Sequence, residues 1–211
     1  VIDAIEKRDV ATCDIPGAFM HSDMKGKVIM KLEGVMAEVI LKLDPKQYKK
    51  LVTKENGKDV IYVILKKALY GTLQAALLFW QNLTTHLKKW GFEINPYDWC
   101  VANKMIDGKQ CTVIWHVDDL KISHVAPEVN TSIIGLIEAE FGKEPPSITI
   151  TRGRVHDYLG MTLDYTEKGK VKIKMLDYVE KMLADLPAEM DGEAHTPAAN
   201  HLFTVDDNQT K

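Results

Sequence analysis

Between Thr112 and His124 the chain reads TVIWHVDDLKISH, and this stretch limits the possible folds more than any other. Two carboxylates, Asp118 and Asp119, stand side by side between apolar runs: Val113, Ile114, Trp115 and Val117 before them, Leu120 and Ile122 after. β-Branched and aromatic residues on both flanks read as two short strands meeting at a tight turn. Adjacent carboxylates are poor core material, because a buried charge without a partner is heavily penalised. Two readings are open. The pair can be a solvated turn, where Asp is at home, or a hairpin that displays two acids to a divalent cation.

A third acid bears on the choice. Val10 to Ile15, VATCDI, reads as a short strand carrying Asp14 near its end, and Pro16-Gly17 breaks it. Neighbouring antiparallel strands could bring Asp14 to Asp118 and Asp119. Three carboxylates at one point repel and raise each other's pKa unless a cation sits among them. Two Mg²⁺ ions about 3.5–4 Å apart would neutralise them and clamp the attacking and leaving oxygens of an in-line phosphoryl displacement. Mg²⁺ needs only a few carboxylates beside its waters and substrate phosphates.

The remaining segments predict an α+β domain. Residues 2–9 read as the end of an amphipathic helix with Ile2 and Ile5 inward, 18–24 as a helical turn, and 27–32 as a strand. Residues 46–51 read as a short helix. Asn56-Gly57 and Asp107-Gly108 are hairpin signals between strand-like runs. A helix is expected over 73–90, with Thr72 as N-cap, Gly91 as C-cap, and Leu73, Leu77, Trp80, Leu83 and Leu87 on its buried face. Another follows Pro127 to Phe141, with Ile133, Ile134, Ile137 and Phe141 as its stripe. Residues 153–166 read as one strand and 171–175 as another. A last helix over 174–186 turns Tyr178, Met182 and Leu183 inward. From Pro187 onward Pro, Ala, Asn and Asp accumulate, so the expected division is a domain over 1–186 and a loose segment over 187–211. Strands and helices mixed with hairpins favour α+β over a doubly wound sheet.

Composition excludes little. The net charge of −3 shows no global basic field for nucleic acid, although a local groove is compatible with it. Cys13, Cys100 and Cys111 are an odd set without CxxC spacing, which suggests a reducing compartment and no structural zinc. No apolar run is long enough to span a membrane. The start, VIDAIEKRDV, lacks Met and reads like the inside of a helix, so a piece of a longer polypeptide is expected.

Several ordered segments together resemble the reverse transcriptase of copia-type (Pseudoviridae) long-terminal-repeat retrotransposon polyproteins. DIPGAF (14–19) is similar to the first polymerase motif, an Asp followed five residues later by an aromatic. KLEGV (31–35) resembles the EGF segment. LKKALYGTLQA (65–75) is similar to the LYGLKQA box, the most specific match. HVDD (116–119) resembles YVDD, DYLGM (157–161) the FLGI primer-grip segment, and HTPAA (195–199) the TP segment that leads towards ribonuclease H.

The resemblance implies a polymerase palm-type antiparallel sheet packed on helices, with partial fingers and the start of a thumb. It implies RNA-directed DNA polymerase activity with two Mg²⁺ ions, or Mn²⁺. Asp14 and Asp118 would hold the metals and Asp119 would assist, with Ile15 beside them in the metal set. Phe19 would be the steric gate against a ribose 2′-hydroxyl. Tyr70, Gly71 and Gln74 would line the nucleotide pocket. His116, Tyr158, Leu159 and Gly160 would meet the primer, and Lys143 could protonate the leaving pyrophosphate. The partners implied are an RNA template, a DNA or tRNA primer, dNTP, and the integrase and ribonuclease H of the same polyprotein, within a cytoplasmic virus-like particle.

The sequence also departs from the family. His116 replaces an aromatic, and Leu73, Ala76 and Leu77 stand where the box commonly has Lys, Pro and Arg, which removes two cations. The upstream finger strands are not in this sequence. Two rivals follow. One is a truncated or decayed palm fragment that cannot polymerise. The other is a signalling receiver domain, disfavoured because its acidic pair should open a parallel sheet near the N-terminus.

Overall fold

The computed structural model describes residues 1–143 and 145–186. In chain order the elements are α1 (Ile2–Ile5), β1 (Asp9–Asp14), a 3-10 turn (Ala18–His21), β2 (Ile29–Glu33), α2 (Val35–Leu43), α3 (Pro45–Tyr48), β3 (Val52–Glu55) and β4 (Lys58–Ile64). Then come α4 (Ala75–Lys89), β5 (Glu93–Ile94), β6 (Val101–Ile106), β7 (Lys109–His116), β8 (Asp119–His124), α5 (Pro127–Phe141), β9 (Thr149–Gly153), β10 (Val155–Tyr158), β11 (Met161–Asp164), β12 (Lys172–Lys174) and α6 (Leu176–Ala184). The chain divides into two units, Val1–Lys174 and Met175–Lys211. The expected loose segment, 187–211, and with it HTPAA, lies outside the described residues.

The first unit mixes helices with antiparallel sheets. Its main sheet has the order β5-β6-β7-β8-β1-β9, so β1 sits between two strands that come more than a hundred residues later. Strand alternation sorts the side chains by face. Ala11 and Cys13 of β1, Leu120 and Ile122 of β8, and Val113 and Trp115 of β7 join one core with Leu78, Phe79, Leu83 and Leu87 of α4 and Ile133, Ile134, Ile137 and Phe141 of α5. Each such large side chain contributes about 1.5–3 kcal/mol when fully buried. The neighbours between them in sequence (Val10, Thr12 and Asp14; Asp119, Lys121 and Ser123) therefore turn to the other face. There β10 and β11 cover part of the sheet through Tyr158 and Leu163, with Val10, Ala4 and Tyr165 in the same cluster. A separate small sheet, β2-β4-β3, packs Leu32 and Ile61 on Ala37 of α2.

The hairpins at Asn56-Gly57 and Asp107-Gly108 form as expected, with positive φ at all four residues. α5 buries its expected stripe. α4 is closed by Gly91, two residues past its end, where φ is +86° and the Phe92 and Gly91 amides donate to the Leu87 and Lys88 carbonyls, a Schellman end.

Four expectations need correction. α1 is a single turn; Ile2 and Ile5 are exposed, and the turn buries Ala4 while Asp3 pairs with Lys121. α4 starts at Ala75, after Thr72, because the Thr72 amide and hydroxyl both bond the Leu69 carbonyl and close a turn instead of capping a helix. Its buried face is accordingly Ala75, Leu78, Phe79, Leu83 and Leu87, and Leu73 and Leu77 are exposed. Residues 153–166 are not one strand: Tyr158 pairs with Met161, and Leu159-Gly160 form a two-residue turn with φ of +53° and +72°. In the second unit Tyr178, Met182 and Leu183 of α6 are exposed. No helix of the described residues is long and apolar enough to cross a membrane.

Candidate active site

The β1–β8 register sets the candidate site. Asp14 lies directly opposite Asp119, and Asp119 is also opposite His116 of β7. Asp118 occupies the two-residue loop between β7 and β8, and its carbonyl accepts from the Ile15 amide at 3.2 Å. Asp14 is thus brought to the same end of the sheet as Asp118 and Asp119, more than a hundred residues later in the chain, with Asp14 and Asp119 on the face away from α4 and α5. The loop is demanding: its first residue, Val117, has φ +57°, which a β-branched side chain adopts at a cost of about 1–3 kcal/mol. Val117 packs against the core, which offsets part of that strain.

Neighbouring residues shape the surroundings. Asp14 and Asp119 open into a cavity of about 160 Å³ together with Thr12, Thr149, Thr151, Asp157 and Tyr158. Tyr158 is 9% exposed, and its buried hydroxyl has no hydrogen-bond partner among the described residues. Leu159 and Gly160 form the turn beyond it. On the other flank, the Tyr70 hydroxyl donates to Asp118 Oδ2 at 2.6 Å, and its ring lies 4.1 Å from that of Phe19. Tyr70 stands at the second position of the Leu69–Thr72 turn, and Gly71 follows at φ +88°, a value that favours glycine. Phe19, the expected gate, is 7% exposed and lies beneath the half-exposed Tyr70 ring.

The remaining expected residues make other contacts. Gln74 is exposed just before α4. Lys143 pairs with Glu140 at 3.6 Å, beyond the end of α5. Ile15 is fully buried, with its amide committed to Asp118. His116 is exposed and borders an apolar groove formed with Leu77, Trp80, Trp99 and Val117. Asp157 lines the cavity although the sequence does not single it out within DYLGM, because one acid in a strand-like run carries no signal of its own; Trp99 borders the groove from the irregular run NPYDWC.

The acids perturb each other. Asp14 is raised above the usual carboxylate range by partial burial and then by Asp118. Asp119 is raised by burial, then Asp118, then Asp14, while His116 opposes the shift. Burial and then the charge of Asp119 push the Tyr158 phenol up to about 12. A carboxyl whose folded pKa is raised binds protons more readily folded than unfolded. Its charge therefore opposes folding at neutral pH, and the molecule gains stability as pH falls through the folded value, fully so below about 3.9. Asp119→Asn is accordingly expected to raise Tm at pH 7, with the gain shrinking towards pH 3.5; thermal melts at the two pH values check it.

Carboxylate oxygens suit a hard divalent cation such as Mg²⁺. The backbone brings the three acids together, but the side chains as they stand do not converge. Among the described residues no group of three or more His, Cys, Asp or Glu side chains is set to hold a metal ion. Asp118 Oδ2 is engaged by the Tyr70 hydroxyl.

No protein-family model and no curated protein matches the chain. Among solved structures it is similar to telomerase from Candida albicans in complex with a TWJ fragment of telomeric RNA. The TM-score is 0.39 and the identity 6%, over 79% of this chain and 30% of that one. It is also similar to apo telomerase from Candida tropicalis truncated from its C-terminal domain, at TM-score 0.41 and 7% identity over 79% and 35%. A second apo structure from Candida tropicalis gives 0.40 and 9% over 78% and 32%. The chain spans about a third of the length of these structures. Likeness at this level fixes neither fold nor chemistry.

Proposed function

We propose that the chain is the reverse transcriptase domain of a copia-type retrotransposon polyprotein. It would join a primer 3′-hydroxyl to the α-phosphate of a dNTP, with loss of pyrophosphate, on an RNA or DNA template. The observation that carries this reading is the register that sets Asp14 opposite Asp119, with Asp118 in the adjoining loop. The ordered motifs DIPGAF, LKKALYGTLQA, HVDD and DYLGM support it, because the first, third and fourth meet at that end of the sheet and Tyr70 of the second reaches Asp118. On this reading the main sheet is a polymerase palm, the β2-β4-β3 sheet is part of the fingers, and α6 begins a thumb.

Asp14, Asp118 and Asp119 would hold two Mg²⁺ ions, or Mn²⁺, which when bound supply positive charge to the transferring phosphoryl group. The chain's own residues have further parts. Phe19 and Tyr70 wall the nucleotide pocket, and Gly71 shapes the turn that presents Tyr70. Tyr158, with the Leu159-Gly160 turn, supports the primer end, and His116 flanks it. RNA template, DNA or tRNA primer and the integrase and ribonuclease H of the polyprotein are the proposed partners, in a cytoplasmic particle.

Primer extension on an RNA template, comparing the full chain with Asp118→Asn, tests the reading. Extension by the unaltered chain and a loss of at least about a hundredfold in the variant is the expected result. Equal extension by both overturns it. A second reading, a palm-fold fragment unable to polymerise, is favoured by the unconverged acid side chains. Activity restored by adding upstream sequence, with none in the chain alone, separates truncation from decay.

A further inference from the structure

The contact between Tyr70 and Asp118 is built rather than incidental. The turn that presents Tyr70 is closed twice on the Leu69 carbonyl, by the Thr72 amide at 3.1 Å and by its hydroxyl at 2.8 Å. The Tyr70 ring rests on Phe19, which is itself buried against Phe79. From this seat the phenol reaches Asp118 Oδ2 at 2.6 Å, the length of a strong hydrogen bond to a charged acceptor. A carboxylate oxygen that accepts such a bond has given up a lone pair that a cation would use. On the far side of the acids lies the cavity with the orphaned, buried Tyr158 hydroxyl, a polar atom left for something that enters there.

We infer that Tyr70 is a positioning residue that contests Asp118 with a divalent cation: its hydroxyl holds the carboxylate while no cation is bound, and yields it when one binds. The inference rests on the proposed role of the three acids. Tyr70 is half exposed, so its hydroxyl finds water when it leaves Asp118. Cation entry is thereby tied to movement of a ring that the proposed reading places in the nucleotide pocket.

Mn²⁺ is the probe, with the free aqua ion counted by electron paramagnetic resonance in titrations of the full chain, Tyr70→Phe and Asp118→Asn. Tyr70→Phe keeps the ring on Phe19 and removes only the donor. It is expected to bind Mn²⁺ about tenfold more tightly, near the lower end for a hydrogen bond to a charged group. Equal Mn²⁺ affinity in the unaltered chain and Tyr70→Phe, with weaker binding in Asp118→Asn, overturns the contest and leaves the acids standing as cation ligands. No binding by any of the three overturns the role of the acids and the inference with it. A second measurement needs no stable variant: saturating Mn²⁺ should shift the phenol absorption band of the unaltered chain as the hydroxyl changes partner. An unshifted band at saturation overturns the inference.

Discussion

Lys121→Ala is expected to cost about 3–5 kcal/mol of stability, the usual loss when one member of a buried ion pair is removed. For a chain of this size that lowers Tm by roughly 10 °C. Lys121 Nζ lies 2.5 Å from Asp3 Oδ2, and the two side chains are only 9% and 12% exposed. Arg8 extends the cluster, donating to Thr112 Oγ1 at 3.1 Å and Ser123 Oγ at 3.4 Å, and ties the start of the chain to β7 and β8. Burial alone would raise the Asp3 carboxyl. The Lys121 charge, with hydrogen bonds from Lys121 and Ser123, more than reverses this and holds it below the usual range. A depressed carboxyl pKa gives stability that is complete above the unfolded value of about 3.9 and is lost as pH falls through the folded value. In the variant, Asp3 is left buried and charged at pH 7 but can be neutralised by acid. Urea unfolding should therefore show the full deficit at pH 7 and a smaller one near pH 3.5. A deficit below about 1 kcal/mol at pH 7 would show that the pair is no more than a surface contact.

The second large effect lies at the site. Phe19→Ala is expected to cost about 3–5 kcal/mol, as buried Phe truncations do, and to leave Tyr70 without the ring beneath it. Phe19 is in the 3-10 turn just after the first acid, buried between Tyr70 and Phe79. Loss of stability and loss of site geometry should therefore appear together in this variant. Phe19→Leu separates them, because a hydrophobic replacement that keeps most of the volume usually costs less than about 1.5 kcal/mol. If Phe19 also limits the sugar pocket, Phe19→Leu raises ribonucleotide use in primer extension while the melt moves only a few degrees. Unchanged sugar discrimination would restrict Phe19 to packing.

Much of the site could be read from the chain itself because the local signals agree with the tertiary result. TVIWHVDDLKISH carries strand formers on both sides of a loop, and alternation alone puts Asp119 opposite in face to Leu120. The α5 stripe and the Gly91 terminus were legible for the same reason. Three features were not. Thr72 stands where an N-cap would stand, but its hydroxyl bonds backward to Leu69, a choice that depends on the Gly71 turn and leaves no mark in composition. DYLGMTLDY reads as strand on both sides of Leu159-Gly160, and the reversal puts a leucine at φ +53°, where Asn or Asp would have announced it. Ile2 and Ile5 have helical spacing, but one turn is too short for spacing to decide its inner face, and the charge of Lys121 decides it by drawing Asp3 in.

The central place of β1 has a consequence for how the molecule is made. Its two neighbours, β8 and β9, are synthesised last among the strands of the main sheet. A ribosome thus releases the first acid long before anything exists to receive it, and Val10, Ala11 and Cys13 wait in the open as a sticky ribbon. Chains with such distant pairings fold slowly and meet neighbours on the way. A nascent chain arrested before residue 119 should consequently depend on chaperones, whereas one released past residue 153 can close its sheet unaided.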